Sequence, residues 1–225
     1  MNDYQIAISS SILDPSEANV QPIILIHPTD SKITTFPTFV KVRLDEPVFF
    51  YTTNGLGSKS IQGYSIVKSS ESLSAIKTWN LRFEQDETIA ALATSSSTNV
   101  ASLGRVLGTR QVLYKYLNPN LLAVVTAKHT KDGHWTCLYL LDAVSGAIYS
   151  RIPTFGTGHV ALNANSIHIA MSENFLVYSY WNHGSSKLPV PESPKQYEVT
   201  VLELFESFTP DVRFKRYCIS AILTF

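Results

Sequence analysis

The feature that most constrains the fold is residues 121–152, LLAVVTAKHTKDGHWTCLYLLDAVSGAIYSRI, where two turn signals separate three strand-forming runs. The turns are predicted at residues 131–133 and 142–146. In the middle run, TCLYLLDA, both alternating phases are apolar. A strand with one face in water would instead alternate apolar and polar residues. We therefore expect this strand to be covered on both faces.

The second of these turns, DAVSG, has the residues of a hairpin connection. Asp142 can hydrogen-bond to the backbone within the turn, and Gly146 can adopt a positive φ without a steric penalty. The two neighbouring strands are therefore predicted to form a tight antiparallel hairpin.

The same strand-turn-strand plan recurs along the chain. Hairpins are predicted at residues 22–36, 47–67 and 166–182, with a last strand at 197–205, while helical periodicity is weak. Four-stranded antiparallel sheets stacked around an axis cover both faces of their strands, and repeats of roughly 40 to 50 residues fit this spacing. The sequence therefore predicts an all-β fold, a partial β-propeller of roughly five blade-like units with quinoprotein-like antiparallel blades.

Two stretches break the pattern. Residues 93–104, ATSSSTNVASLG, are small and polar and are predicted to form an exposed loop. Residues 183–196 contain three prolines and are also predicted to form a surface loop. We expect partial propeller blades to occupy residues 1–207 and a divergent C-terminal tail to occupy residues 208–225.

Composition limits the classes of partner. Lys and Arg number 18, as do Asp and Glu, so the net charge is +0, which argues against nucleic acid or an anionic membrane surface as the main partner. No apolar run approaches the ~18 residues of a membrane helix, and the first residues lack the pattern of a secretion signal. The sequence therefore predicts no nucleic-acid partner and no membrane span in this chain.

The two cysteines do not form a disulfide scaffold or a metal-ligand pattern. Cys137 lies in an apolar run and is predicted to be a buried free thiol. One disulfide between Cys137 and Cys218 is the alternative.

The sequence lacks the common catalytic and cofactor motifs. The chain has no G-x-S-x-G, H-E-x-x-H, C-x-x-C or phosphate-binding glycine motif. His129, His134, His168 and Asp132 lack the spacing of a usual metal site. The LLDAVSGAI segment is similar to the blades of quinone-cofactor dehydrogenases, but a likeness of blades does not transfer chemistry. We expect no enzyme activity, no cofactor and no metal.

Residues 104–126, GRVLGTRQVLYKYLNPNLLAVVT, resemble the most distinctive segment of the subunit 1 family of the ER membrane protein complex. Downstream, LYLLDAVSGAIYSRI, SENFLVYSYWN and YEVTVLELFE resemble that family in the same order and at similar spacing. Upstream, KITTFP and VFFYTTNGLGSKSIQGYSI match more loosely. The similarity is expected to run from about residue 20 to residue 207 and to stop after LELFES.

The resemblance implies a non-catalytic scaffold on the luminal side of the endoplasmic reticulum. The assembly would insert and fold tail-anchored and multipass membrane proteins, with its other subunits as partners of this chain and membrane-protein clients as further contacts. Family members carry an N-terminal signal, further blades and a C-terminal membrane helix, none of which is recognisable here. The alternative is an independent soluble β-propeller interaction module, suggested by the bare N-terminus and the lack of an N-x-S/T glycosylation acceptor.

The same segment also supplies candidate structural or interface residues. Asn118, Pro119 and Asn120 are predicted to form a tight turn, because Pro119 lacks a backbone donor and disfavours helix at Asn118. Arg105 and Arg110 are predicted to hold a loop by hydrogen bonds to carbonyl groups or carboxylates.

Four residues of the segment, one of them Arg110, are amphipathic. The stems of Arg110 and Lys115 can cover apolar surface while their charges stay in water. Tyr114 and Tyr116 can bury their rings and keep their hydroxyls at an edge. With Asp142 and Gly146 of the DAVSG turn, these residues complete the candidate set.

Overall fold

The computed structural model describes residues 5–8, 23–26, 33–36, 48–53, 55–68, 73–84, 86–95, 100–130, 133–156, 167–182, 196–210 and 220–224. Every regular element in these ranges is a β-strand, and the strand pairings are antiparallel. The predicted all-β class is therefore confirmed. No helix in the described part of the chain is long and apolar enough to cross a bilayer.

The strands are, in chain order, β1 (Gln5–Ile8), β2 (Ile23–Ile26), β3 (Ile33–Phe36), β4 (Val48–Thr53), β5 (Ser60–Lys68), β6 (Leu73–Arg82), β7 (Glu87–Thr94), β8 (Gly104–Val106), β9 (Val112–Tyr114), β10 (Leu121–Thr130), β11 (Gly133–Asp142), β12 (Ile148–Gly156), β13 (Ile167–Ser172), β14 (Phe175–Asn182), β15 (Gln196–Phe205) and β16 (Ser220–Thr224). They form sheets of order β1-β2-β3, β4-β5-β6, β7-β10-β11-β12, β8-β9 and β13-β14-β15-β16. The two four-stranded sheets are called here the first and the second large sheet.

The chain divides into two compact units. Unit 1 comprises the described residues within 1–53, 61–81 and 143–146, and it contains nearly all of the two three-stranded sheets. Unit 2 comprises those within 54–60, 82–142 and 147–225, and it contains both large sheets and the β8–β9 hairpin.

The hairpins predicted from turn signals are present. Strand β2 pairs with β3, β4 with β5, and β13 with β14. Strands β10, β11 and β12 pair in sequence, as expected for the long run at 121–152. Of the first predicted turn in that run, Lys131 and Asp132 lie outside the described residues.

Within unit 2, the two large sheets share one apolar core. Strands β7, β10 and β11 of the first sheet and β13, β14 and β15 of the second contribute buried side chains to it. These are Ala90, Ala91, Leu121, Ala123, Val125, Ala127, Leu138, Leu140, Ile167, Met171, Leu176, Tyr178, Tyr180, Leu202 and Leu204. Full burial of one leucine-sized side chain stabilises by about 1.5–3 kcal/mol. Two sequential four-stranded sheets that share a core are consistent with neighbouring blades of a partial β-propeller.

Strand β11, one of the two inner strands of the first large sheet, is buried on both faces, as predicted. Leu138 and Leu140 belong to the shared core, whereas Cys137, Tyr139 and Leu141 are buried on the opposite face. Cys137 is a free thiol, which confirms that prediction, while its alternative disulfide partner, Cys218, lies outside the described residues.

Two sequence boundaries differ from the structure. Of the predicted loop 93–104, Ala93 and Thr94 belong to β7 and Gly104 begins β8, while Ala101, Ser102 and Leu103 are exposed as expected. Ala93 and Thr94 pair with β10, and Gly104 pairs with Tyr114 of β9, so the ends of the predicted loop belong to strands. Residues 96–99 of the predicted loop lie outside the described residues.

Of the predicted divergent tail at 208–225, residues 211–219 and 225 lie outside the described residues, and residues 220–224 form a strand that was not predicted. Strand β16, SAILT, pairs with residues 201–205 of β15, so it continues the second large sheet. A short apolar run beside an open strand edge gains backbone hydrogen bonds by pairing with it. The predicted loop at 183–196 lies outside the described residues except Gln196, which begins β15.

Candidate functional site

The β8–β9 hairpin lies in sequence between the first two strands of the first large sheet, β7 and β10. Its cross-strand pairs are Gly104 with Tyr114, Arg105 with Leu113, and Val106 with Val112. Leu113 is buried. Any side chain at position 104 would place its Cβ 2.4 Å from Cγ1 of Val112, so the close pairing requires glycine there.

The hairpin is joined to the second large sheet by backbone hydrogen bonds. Lys115 forms an antiparallel bridge with Phe205. The amide of Tyr116 donates to the carbonyl of Leu204 at 3.0 Å, and the amide of Glu206 donates to the carbonyl of Tyr114 at 2.9 Å. A segment that interrupts the first large sheet in sequence therefore pairs with a strand of the second.

An ion pair strengthens this junction on one side of the hairpin. Nη1 of Arg105 lies 2.8 Å from Oε2 of Glu203. The Glu203 side chain is 5% exposed, whereas that of Arg105 is 57% exposed. A buried carboxylate is costly unless it is paired, so Arg105 supplies the charge that Glu203 requires. The prediction that Arg105 holds a loop through a carboxylate is confirmed.

A second ion pair links the hairpin to the β13–β14 turn. Nζ of Lys115 lies 2.8 Å from Oε2 of Glu173, and their side chains are 12% and 23% exposed. The backbone amide of Ala101 donates to Oε1 of the same carboxylate at 3.4 Å. The hydrogen bond from Lys115, and then that from Ala101, lower the pKa of Glu173 from its ordinary value of 4.5.

The ammonium of Lys115 is paired with a carboxylate, which the sequence did not predict. The backbone of Lys115 is bridged to Phe205 and its side chain is only 12% exposed, so Glu173 offsets the partial loss of hydration of the ammonium. We call the pairs Arg105–Glu203 and Lys115–Glu173 the hairpin ion pairs.

The side chain of Arg110 is exposed, as expected for its charge, but it does not form the loop-holding hydrogen bonds that were predicted. It lies exposed between β8 and β9 with φ +68°, and its amide donates to the carbonyl of Leu107 at 2.9 Å. Within the described residues, its side chain has no hydrogen bond or ion pair. The turn leaves the guanidinium in solvent, so Arg110 shapes the hairpin tip through its backbone.

Tyr116 behaves as expected for an amphipathic side chain. Its ring packs against the shared core and meets the ring of Tyr149 edge-on at 6.2 Å. Its hydroxyl accepts a hydrogen bond from Nδ2 of Asn118 at 3.2 Å. Burial raises the pKa of Tyr116 to about 12. Tyr114, on the preceding strand, is half-buried.

The turn at residues 118–120 is also present. Oδ1 of Asn118 accepts a hydrogen bond from the amide of Asn120 at 2.9 Å, and its carbonyl accepts one from the amide of Leu121 at 3.1 Å. This side-chain bond mimics a backbone turn, with Pro119 between the two asparagines. The turn directs the chain from the hairpin into β10.

The DAVSG turn carries a contact that sequence reasoning missed. Gly146 has φ +73°, as predicted, and the amide of Asp142 donates to the carbonyl of Ala147 at 2.9 Å. A Cβ at Gly146 would lie 2.5 Å from Cδ2 of Trp79, whose Nε1 donates to the carbonyl of Ala143 at 3.2 Å. Space for the indole is therefore a second reason for glycine at this position.

Gly63, in the interior of β5, lies against the same indole. A Cβ there would lie 1.9 Å from Nε1 of Trp79. A glycine inside a strand indicates a close approach of another group, so this residue was the available sequence signal for the Trp79 contact.

A polar cluster that was not predicted occurs on the first large sheet. Glu87 is buried, and both of its carboxylate oxygens accept from the hydroxyl of Tyr139, at 3.2 and 3.0 Å. Nη2 of Arg151 lies 3.4 Å from Oε1 of Glu87, and its guanidinium lies 5.5 Å from the centre of the Tyr139 ring. Glu84 is paired with Lys128 at 2.5 Å at the exposed margin.

The cluster is arranged for stability more than for chemistry. Burial raises the pKa values of the Tyr139 hydroxyl and the Cys137 thiol, so neither is poised as an anion at neutral pH. The described residues contain no group of three or more His, Cys, Asp and Glu side chains that could hold a metal ion.

Residues 2–223 match a family model described as ER membrane protein complex subunit 1, second beta-propeller. Curated relatives with the name ER membrane protein complex subunit 1 come from Gallus gallus, Xenopus laevis and Saccharomyces cerevisiae, at 33%, 32% and 33% identity over 211, 211 and 168 residues. These alignments cover 88%, 88% and 72% of this chain.

The same alignments cover 19% of each relative, so the chain spans about a fifth of the length of the curated relatives it matches. The family match passes residue 207, where the resemblance was expected to stop, and includes most of β16. The chain belongs to the family of ER membrane protein complex subunit 1, and it matches that family in the second β-propeller.

Proposed function

We propose that this chain is a non-catalytic scaffold of the ER membrane protein complex. It lies on the luminal side and supports insertion and folding of tail-anchored and multipass membrane proteins. Its partners are the other subunits of the complex, and membrane-protein clients contact the assembly. The observation that carries the proposal is the family match over residues 2–223, with relatives named as a subunit of that complex.

The geometry of unit 2 supports a scaffold role. Two large sheets share one core, and the β8–β9 hairpin joins them through backbone hydrogen bonds and the hairpin ion pairs. Residues held by packing and by charge pairing keep a fixed geometry, which a surface that holds several subunits requires. The raised pKa values of Tyr139 and Cys137 favour this role over acid–base or thiol catalysis.

Affinity purification of the endogenous protein from detergent-solubilised membranes tests membership of the assembly. A fixed set of ER membrane subunits should be recovered with it. Recovery of the protein alone from the soluble fraction would favour an independent interaction module.

A matched comparison uses Leu103→Asp, in the exposed segment before β8, against Ile76→Asp, at an exposed position of β6. Selective loss of one subunit with either variant would locate a contact surface.

Protease protection in sealed microsomes tests the luminal position. The protein should resist added protease until detergent opens the vesicles. Digestion in intact vesicles would contradict the luminal proposal without affecting membership of the complex.

The insertion role requires a separate experiment in cells that lack the protein. Membrane insertion of a tail-anchored reporter should fall, and it should recover when the protein is restored. An unchanged insertion yield would refute this part of the proposal, even if the subunits still co-purify.

A further inference from the structure

The far end of the β8–β9 hairpin combines exposed apolar side chains with a cation. Leu103 and Val106 are 58% and 69% exposed, and residues 108–111 of the connecting turn are exposed as well. We call Leu103 and residues 106–111 the tip surface. Exposed apolar side chains grouped around a charge are typical of surfaces that bind other proteins.

The turn within the tip surface holds Arg110 in a conformation that favours glycine. The amide of Arg110 donates to the carbonyl of Leu107 at 2.9 Å, and the amide of Leu107 donates to the carbonyl of Gln111 at 2.8 Å. This is the pattern of a three-residue hairpin loop whose last residue has a positive φ, and φ is +68° at Arg110. Glycine is the usual residue there, because a side chain costs stability in that conformation.

No contact of the Arg110 side chain offsets this cost. Within the part of the chain that the structure describes, its guanidinium has no hydrogen bond or ion pair. Strained residues that the fold itself does not need occur mainly at binding sites. The strain at Arg110 therefore indicates a role outside the fold.

The charge pattern of the surrounding segment indicates the sign of the partner. Residues 88–131 contain no Asp or Glu, and their cationic residues are Arg105, Arg110, Lys115, Lys128 and Lys131. Ion pairs with acidic residues from elsewhere in the chain neutralise three of them: Arg105–Glu203, Lys115–Glu173 and Lys128–Glu84. Arg110 keeps an unneutralised positive charge, so the tip surface is complementary to an anion.

The chemistry of the tip surface narrows the anion to a carboxylate on a protein. A guanidinium binds a carboxylate through two parallel hydrogen bonds. Oγ1 of Thr109 donates to Oε1 of Gln111 at 3.2 Å, so the polar neighbours of Arg110 contact each other and are neutral. A single cation attracts an anionic membrane only weakly, whereas Leu103 and Val106 favour apolar side chains next to the carboxylate.

The position of the hairpin favours a separate polypeptide as the partner. Thr94 at the end of β7 pairs with Leu122 at the start of β10, so the hairpin is inserted at this end of the first large sheet. Sheets of one polypeptide that pack together in such a fold cover each other's faces. An insertion at the ends of the strands lies outside such a face-to-face contact.

We propose that the tip surface docks an acidic, partly apolar segment of another protein, with Arg110 paired to a carboxylate of that segment. The inference deepens the proposed scaffold function, and it rests on that function only for the identification of the other protein as a subunit of the same complex.

A photo-crosslinker at Val106 identifies the partner in the protein as cells make it. Val106 is replaced by benzoylphenylalanine, and the cross-linked peptides are sequenced. The expected product is a peptide of another protein with Asp or Glu within about four residues of the cross-linked position, which is the separation of Val106 from Arg110. Cross-links to the same polypeptide, to a second copy, to lipid or to a segment without Asp or Glu would each overturn the proposal, as would the absence of any cross-link.

Charge reversal tests the role of Arg110 in this contact. Arg110→Glu should lower the yield of the Val106 cross-link at least about fivefold, because like charges would then meet. Replacement of the partner's Asp or Glu by Lys should restore the yield. Lys77→Glu is the matched control, since Lys77 is an exposed cation of β6, and it should leave the yield unchanged. An equal loss in both variants, or no loss in Arg110→Glu, would overturn the proposal.

Arg110→Gly separates binding from folding. Glycine relieves the positive φ, so the midpoint of urea unfolding of the full chain should rise while the cross-link yield falls. A residue with only a structural role would give a lower midpoint, and that result would overturn the proposal.

The outcomes also distinguish this inference from the proposed function. If the complex co-purifies but no acidic segment cross-links to residue 106, the tip proposal alone fails. If the cross-linked acidic segment belongs to a protein outside the complex, docking at the tip surface stands and membership of the complex fails.

Discussion

Nη1 of Arg105 donates a hydrogen bond to Oε2 of Glu203 at 2.8 Å, although the two residues lie 98 positions apart in the sequence. The carboxylate is buried in the second large sheet, and the guanidinium comes from a hairpin inserted between strands of the first. The bond therefore connects the β8–β9 hairpin to the second large sheet, from residues that are far apart in the sequence.

Replacement of Arg105 by Met should destabilise the protein by about 1–3 kcal/mol, because Glu203 would remain as a buried carboxylate without its charged partner. Urea unfolding monitored by circular dichroism measures the change. Arg110→Met removes the same charge from the exposed tip of the same hairpin and should cost less than about 0.5 kcal/mol. Equal losses in the two variants would show that the Arg105–Glu203 pair is not what stabilises the junction.

The Lys115–Glu173 pair should make stability depend on pH. Since the folded state lowers the pKa of Glu173 below 4.5, the pair stabilises fully above that pH, and this contribution disappears as the pH falls through the folded pKa. Unfolding free energies measured from about pH 6 to about pH 3 should decline less steeply in Glu173→Gln than in the unmodified protein. Lys115→Met should remove the same part of the pH dependence. If the free energy of unfolding depended on pH in both variants as it does in the unmodified protein, the Lys115–Glu173 pair would not be the source of that dependence.

Gly146→Val should destabilise unit 1 for two separable reasons. The positive φ costs about 1 kcal/mol for a residue with a side chain, and the new Cβ would overlap the Trp79 indole, which typically costs about 1–3 kcal/mol more. Gly57→Val is the matched control, because Gly57 also has a positive φ but no atom near its Cβ position. If thermal unfolding showed equal losses for both variants, the Trp79 contact would contribute nothing.

Local patterns were sufficient to predict much of the fold. The two-sided burial of β11 follows from apolar residues in both phases of TCLYLLDA, and the turn at Gly146 follows from the need for a positive φ. Both properties depend only on neighbouring residues, and so does the turn in which Asn118 accepts a hydrogen bond from Asn120.

The partners of charged residues could not be predicted in the same way. Lys115 meets Glu173 across 58 positions, and Tyr139 meets Glu87 across 52. Such contacts depend on which sheets become neighbours and in which register, and no pattern in a single sequence specifies either. Strand β16 was missed for the same reason, since its pairing depends on the free edge of β15.

Removal of the Tyr139 hydroxyl should show how much this hydrogen-bond donor stabilises the buried carboxylate of Glu87. Tyr139→Phe keeps the ring against Phe83 but leaves the carboxylate with Arg151 as its described donor, so we expect a loss of about 1–3 kcal/mol in urea unfolding. Tyr197→Phe makes the same chemical change at an exposed residue and should cost less than about 0.5 kcal/mol. If Tyr139→Phe lowered the free energy of unfolding no more than Tyr197→Phe does, the ion pair with Arg151 would be sufficient to stabilise the buried carboxylate of Glu87. Arg151→Met should then lower the free energy of unfolding more than Tyr139→Phe.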